Sequence, residues 1–251
     1  MISVCVAVYR IHDRPNVAGL AAALPVALGG HDGELVIALN GVDAGLLDIP
    51  SSARTLDLGI NRGVAPAWNA AARAASGEVL VFCNDDVELG AGSLARLAEP
   101  LLRDHHPAIV GPVGASWDIV HGKHTAWIGP NESSREELTE CDAVSGFLFA
   151  CRRQTWEAVG GFDEFYAPAS WEEVDFCTAV RAIGGRCYVV ADVSYRHKWG
   201  VSRRQPPWAR ARWAGGSESW RSVHRRNKRH FLEKWATHPL AGISAEHRTL
   251  A

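Results

Sequence analysis

Three stretches of this chain combine residue types and spacings able to do chemistry. In VLVFCNDDVEL an apolar run leads directly into Asn84-Asp85-Asp86. Two carboxylates at the carboxyl end of a strand suit a hard divalent cation such as Mg²⁺ or Mn²⁺, which keeps waters and bridges the oxygens of a diphosphate. Such an ion neutralises charge growing on a departing phosphate; the same residues also serve as a solvated turn or helix cap. In NRGVAPAWN, Gly63 permits close backbone approach, and a helix starting near Ala65 can turn its amino terminus to a phosphate. A turn before a capped helix is the plainer reading. The third stretch, SGFLFACRRQTWEAVGGFDEFYAPASWEEVDFCTAVRAIGG, ends in an acid-led helix. Glu172, Glu173 and Asp175 fall where the helix dipole favours carboxylates. Beside Trp171 and Phe176 such a group can also take the proton of an attacking hydroxyl.

The elements that position these residues follow from periodicity. Short apolar runs at Ile2–Val8, Glu34–Leu39, Arg54–Leu58 and Glu78–Cys83 alternate with helical patterns at about Val17–Leu28, Ala65–Ala75 and Ala91–Arg103. That alternation predicts a parallel α/β sheet. Ligands of such sheets collect beyond the strands' carboxyl ends, so Tyr9, Arg10, Asn40, Asn61 and Asn84 to Asp86 are expected at one cleft. A strand at Ile109–Val113 follows, then a stretch from Gly114 to Glu140 with no sustained period, read as hairpin and loop. The later pattern predicts a strand at Ala143–Cys151, helices at Arg153–Val159 and Trp171–Ile183, and a strand at Cys187–Ala191. Beyond His197, Pro206-Pro207 and Gly215-Gly216 divide a basic, Trp-rich tail into two expected helices.

Composition narrows the class. With 251 residues, 47% hydrophobic and 22% charged, the chain suits one globular α/β domain with appendages. No run approaches the roughly 20 apolar residues of a membrane span, and the apolar start has no signal-peptide pattern. A cytoplasmic protein is the expectation, with peripheral membrane association left open. Six dispersed cysteines without a CxxC pair read as buried thiols. The net charge of −2 hides an asymmetry: Arg196 to Trp235 carries 12 Lys and Arg against Glu218 and Glu233, leaving 14 bases against 26 acids elsewhere.

In order and spacing these motifs resemble the family 2 glycosyltransferases, inverting enzymes with the GT-A fold, and in particular their bacterial rhamnosyltransferase-like branch. The resemblance runs from Ile2 to about His197. It rests on the opening strand into Tyr9, the N-x-G-x(5)-N element at Asn61, Gly63 and Asn69, and the strand into Asn84-Asp85-Asp86. The block from Gly146 through Gly161-Phe162-Asp163-Glu164 and the acidic helix from Glu172 complete it.

The resemblance implies a GT-A (Rossmann-like nucleotide-diphospho-sugar transferase) fold with a mixed central sheet and a helical C-terminal extension. Residues 1–200 would form the transferase domain, with a nucleotide-sugar half at 1–104 and an acceptor and catalytic half at 105–200; 201–251 would be the extension. Ala7, Val8 and Tyr9 would border the base, with Asn40 beside base or ribose and Asn69 close to the nucleotide. Asp85 would approach the ribose, Asp86 would hold Mn²⁺ or Mg²⁺ on the diphosphate, and His197 would be a further ligand. In the family the acidic helix usually starts Glu-Asp with Asp as base; here Glu173 occupies that position with one extra methylene, and Glu172 is the alternative. Asn84 replaces the first acid of the family's Asp-x-Asp motif.

The implied donor is a UDP-, dTDP- or GDP-linked sugar. The acceptor side is assigned to Gly146, Trp171 and the tail's Arg225, Arg226 and Arg229, whose charge suits an anionic partner. A dinucleotide oxidoreductase is disfavoured because the first strand lacks GxGxxG, and a nucleotidyltransferase because YRIHDRPN is no Gly-rich, basic loop. A sugar-nucleotide-binding module weakened in catalysis, or a nucleic-acid binder using the tail, are the non-enzymatic alternatives.

Overall fold

The computed structural model describes residues 1–9, 16–103, 108–129, 137–197 and 208–239. Four strands open the chain's architecture: β1 (Ile2–Val8), β2 (Gly33–Leu39), β3 (Arg54–Asp57) and β4 (Val79–Asn84). They pair in parallel in the order β3-β2-β1-β4. A three-residue strand, β5 (Val87–Leu89), follows β4 directly. Helices α1 (Val17–Ala27), α2 (Val64–Ala74) and α3 (Ser93–Arg103) supply the crossovers.

The sheet continues past β4 through β11 (Leu148–Arg152), β6 (Ala108–Gly111), β12 (Arg186–Val190) and β9 (Leu138–Cys141), giving eight strands of mixed direction. Its two faces bury different cores. Val4, Val6 and Val8 alternate with Val81 and Leu148 toward α1 and α3. Cys5, Leu80, Phe82 and Phe149 face α2 on the opposite side. Trp68 of α2 centres that second core, its ring 5.7 Å from Phe82, 5.4 Å from Phe149 and 5.3 Å from Phe162. Strands apolar on both faces are what a helix-covered sheet requires.

The region read as hairpin and loop contains the hairpin β7 (Gly114–Asp118) and β8 (Lys123–Ile128), and it also contributes β9 to the main sheet. The run Ala143–Cys151 is not one strand. It divides into β10 (Ala143–Val144), paired with β7, and β11, and the turn Ser145–Phe147 between them enters the site described below. After α4 (Arg153–Ala158), the acidic helix is α5 (Glu172–Ala182), and β13 (Tyr195–His197) pairs with β5.

The tail differs from its expectation of two helices. Arg210–Trp213 and Gly216–Ser219 form a hairpin, β14 and β15, and one helix, α6 (Trp220–Trp235), follows; the Pro206-Pro207 break lies outside the described residues. The hairpin wins because its backbone has partners: Ala214 N–H donates to the Asn61 carbonyl and Asn61 Nδ2 to the Arg212 carbonyl, both at 2.7 Å. Val223, Asn227, Phe231 and Trp235 make the buried stripe of α6, spaced four residues apart as one helical face demands. Phe231 and Trp235 join the same core as Trp68. All six cysteines are buried and free, as buried thiols were expected to be.

Candidate active site

The carboxyl ends of β1, β2 and β4 bring the amino-terminal motifs to one edge. Ala7 and Val8 finish β1 and Tyr9 follows it, with Ala7 in register with Asn84, and the Tyr9 N–H donates to the Asp85 carboxylate. Burial, reinforced by the adjacent Asp86 charge, pushes Asp85 up to about 7 against that hydrogen bond.

Asp86 meets His197 across the short β5–β13 ladder. His197 lies opposite Val87 in that ladder, and its Nε2 stands 3.4 Å from Asp86 Oδ1. Phe147 stacks on the imidazole at 4.4 Å and 7° between planes. Asp86 Oδ1 is buried and accepts no hydrogen bond, a state that costs free energy unless a cation or donor satisfies it. An aspartate oxygen and an imidazole nitrogen 3.4 Å apart fit Mg²⁺ or Mn²⁺. Among the described residues no group of three or more His, Cys, Asp or Glu is gathered for a metal, so the remaining ligands would be diphosphate oxygens and water, as suits these ions.

The Asn61 element is organised by Asn40, which is 1% exposed. Asn40 Nδ2 donates to Asn61 Oδ1 at 3.0 Å and to the Gly63 carbonyl at 3.1 Å, while its Oδ1 accepts from the Arg62 N–H at 2.7 Å. The expectation placed Asn40 beside base or ribose; the structure commits its amide to bracing the loop that edges the cleft. Gly63 has φ +102, and a Cβ there would lie 2.7 Å from that of Ala167. The close approach it permits is therefore to the 167–168 backbone, whose Pro168 carbonyl accepts the first N–H of α2 at 2.8 Å. Asn69, assigned a place near the nucleotide, is 3% exposed. Its amide holds Phe162 through both N–H and carbonyl, at 2.9 Å each, and reaches Glu164 at 3.0 Å. It thus fixes the Gly161–Glu164 turn.

Two glutamates head α5 in different surroundings. Glu172 is 7% exposed, whereas Glu173 is half-buried and, unlike Glu172, faces a cavity of about 290 Å³ walled by Trp117, Trp127, Trp171, His124 and His224. Burial raises both carboxyls, most strongly Glu172, with the neighbouring Glu173 charge adding to it. Gly146 backs Glu173: a Cβ at Gly146 would sit 3.1 Å from the Glu173 carboxyl carbon. One turn, Ser145–Phe147, therefore touches both candidate centres, through Gly146 to Glu173 and through Phe147 to His197. Its Phe147 carbonyl accepts the Asn84 N–H at 2.8 Å, tying it to the end of β4.

Ser170 and Trp171 enter α5 at φ 85 and 82, a conformation costly for residues with a Cβ. The C-terminal helix holds it. Asn227, fully buried, donates to the carbonyls of Tyr166, Ala169 and Ser170 at 2.8, 3.1 and 2.9 Å. Trp171 Nε1 donates to His224 Nδ1 at 3.3 Å. Of the three arginines assigned to the acceptor, Arg226 is spent on structure: it donates to the Ala167 carbonyl and to Glu218 at 2.9 Å, with its guanidinium over Phe165 and Trp213. Arg225 and Arg229 are exposed and do not line the cavity.

Sequence reasoning missed Phe147, Asn227, His224 and the walls Trp117, His124 and Trp127. In KHTAWI, His124 and Trp127 are three residues apart, which a regular strand places on opposite faces, so spacing gave no signal for the pair; the β7–β8 register shifts between Ser116 and Trp117.

Comparison with known proteins agrees with this geometry. Residues 43–157 match the family described as Glycosyl transferase family 2, which bears out the resemblance to that family; the rhamnosyltransferase-like branch is not singled out. A Sinorhizobium fredii protein described as "Uncharacterized protein y4gI" is 25% identical over 202 residues, covering 69% of this chain and 20% of its own length. The fold is that of GT-A glycosyltransferases. The chain superposes on GalNAc-T7, solved with UDP, GalNAc and Mn²⁺, at TM-score 0.69 and 15% identity, covering 94% of this chain and 48% of that one. For the mannosyltransferase PcManGT of Pyrobaculum calidifontis, in complex with GDP-Man and Mn²⁺, the TM-score is 0.54 with 18% identity over 76% of this chain and 55% of that one. TarS of S. aureus gives 0.52, with 17% identity over 77% and 59%. The chain thus spans a fifth of the curated relative and about half of these structures. No described helix is long and apolar enough to cross a membrane.

Proposed function

We propose that this chain, with its glycosyl transferase family 2 segment, is a metal-dependent inverting glycosyltransferase that moves a sugar from a UDP-, dTDP- or GDP-linked donor to an acceptor hydroxyl. The observation that carries the reading is the junction at Ser145–Phe147. There Phe147 stacks on His197, which stands beside a buried Asp86 oxygen that accepts no hydrogen bond, and Gly146 backs the cavity-facing Glu173.

The roles follow from position. Asp86 and His197 would hold the divalent cation, which when bound offsets the negative charge of the departing nucleoside diphosphate. The ends of β1 and β4 and the Asn40-braced loop frame the nucleotide side of the cleft. Glu173 accepts the acceptor's hydroxyl proton as that oxygen bonds to the anomeric carbon and the bond to the phosphate oxygen breaks. Attack from the face opposite the leaving group inverts the centre. Burial raises Glu173, which strengthens it as a base once ionised. The extra methylene relative to aspartate is met by Gly146, where the absence of a side chain leaves room for the longer acid.

Nucleoside diphosphate release from a panel of UDP-, dTDP- and GDP-sugars, with and without Mn²⁺, tests the reading. Metal-dependent release, including slow donor hydrolysis, supports transfer; binding without release from any donor would make the protein a sugar-nucleotide-binding module.

A further inference from the structure

We propose that the acceptor is an uncharged saccharide whose terminal ring occupies the aromatic cavity beside Glu173, with His224 of the C-terminal helix as a positioning residue for that cavity. This deepens the transfer reading and rests on it only for the word acceptor.

Several observations converge. The cavity's volume of about 290 Å³ lies at the small end of ligand pockets, the scale of a single ring. Its walls are indole and imidazole faces: Trp117 meets Trp171 at 5.4 Å, and His124 lies between Trp117 at 5.9 Å and Trp127 at 4.7 Å. Trp127 is 47% exposed, so the aromatic surface continues to solvent, where the next ring of a longer saccharide would run. A pyranose presents apolar C–H faces carrying slight positive charge, which match the negative faces of such rings. Its hydroxyls need a few convergent polar groups, and Glu173, Ser145 and Ser170 supply them from the lining.

Charge separates this acceptor from the anionic one that the basic tail suggests. No Lys or Arg lines the cavity among the described residues, so a phosphate or carboxylate inside it would be desolvated beside the Glu173 carboxyl with only the imidazoles of His124 and His224 to offset its charge. Arg225 and Arg229 lie outside. The helix that bears them contributes instead His224, whose Nδ1 accepts from Trp171 Nε1 at 3.3 Å and lies 3.2 Å from Ser170 Oγ. His224 thereby sets the orientation of one wall.

The full chain labelled with 5-fluorotryptophan gives a fluorine signal for each indole, with Trp68, Trp117, Trp127 and Trp171 assigned by single Trp→Phe variants. Titrating neutral methyl glycosides and disaccharides is expected to move the Trp117 and Trp127 signals saturably while the Trp68 signal stays fixed. Methyl glucuronide should move neither at the same concentrations. Trp127→Ala should lower affinity for the responding glycoside about tenfold, with Mn²⁺-dependent nucleotide binding within twofold of the parent. His224→Ala should weaken the same glycoside and shift the Trp171 signal in the free protein; His224→Gln, able to accept the indole hydrogen bond, should restore both. Response to the glucuronide alone, or to no saccharide, would overturn the proposal even where donor hydrolysis is observed. Saccharide binding without nucleotide release from any donor would sustain the cavity assignment and overturn the transfer reading instead.

Discussion

Lys234 of α6 donates to the buried Asp175 carboxylate of α5 at 2.8 Å, joining the C-terminal helix to the one that carries Glu172 and Glu173. Trp235 Nε1 at 2.6 Å and the Tyr166 hydroxyl at 3.0 Å donate to the other oxygen of the same carboxylate. The tail is therefore a brace of the acidic helix α5. Lys234→Met keeps the apolar stem but leaves Asp175 without its cation, and removing one partner of a buried pair is costly. Because Lys234 is one-third exposed, we expect a loss of about 1–3 kcal/mol, read from urea unfolding.

Stability should fall at both pH extremes through this brace. Burial disfavours the Lys234 charge, but Asp175 and Asp163 overcome it and raise the group above the ordinary lysine range. Its contribution is then complete below about pH 10 and fades as pH climbs through the raised value. Asp163 is opposite in sign: burial works against ionisation, yet hydrogen bonds from His230, the Phe165 N–H and Lys234 hold it below the ordinary carboxylate range. Its contribution is present above about pH 4 and is lost as pH drops through the depressed value. Melting temperatures of the parent and Asp163→Asn across pH should converge at the acid end; a gap independent of pH contradicts this.

Asp86→Ala should abolish metal-dependent nucleotide binding, since the cation would lose its carboxylate. His197→Ala should weaken it by at least tenfold. Calorimetric titration of UDP, dTDP and GDP with Mn²⁺ and with chelator reads both; equal binding in chelator-treated parent protein is the contrary result.

Glu173→Gln should keep nucleotide affinity within a few-fold while transfer drops at least about 100-fold, the scale of a lost general base. Glu172→Gln should act on melting temperature and leave most of the rate. In the parent, the acid limb of the rate profile should lie above the ordinary glutamate value, because burial raises Glu173 and only its ionised form accepts a proton. A dead Glu172→Gln beside an active Glu173→Gln moves the base by one residue.

The three arginines assigned together should now separate. Arg226→Glu removes the contacts to Ala167 and Glu218 and is expected to cost about 1–3 kcal/mol. Arg225→Glu and Arg229→Glu, on exposed positions, should stay within about 0.5 kcal/mol. Denaturant midpoints of the three variants make the comparison.

Periodic and local features were legible in the sequence. The parallel half of the sheet, its three helices, the acids at the end of β4 and the acid-led α5 each follow from hydrophobic spacing or a terminus signal within a dozen residues. Tertiary structure decided what those signals do not encode, namely which distant element completes each site. His197 reaches Asp86 through two three-residue strands too short to show a period, and the Ala143–Cys151 run breaks because its halves pair with different sheets. Asn40 and Asn69 have polar atoms that serve loops far along the chain. The tail's first segment becomes a hairpin because Asn61 offers its backbone partners. Periodicity states which face of an element is apolar, whereas the partner of that face is set by the packing of the whole chain, where buried polar groups must find each other or remain unsatisfied.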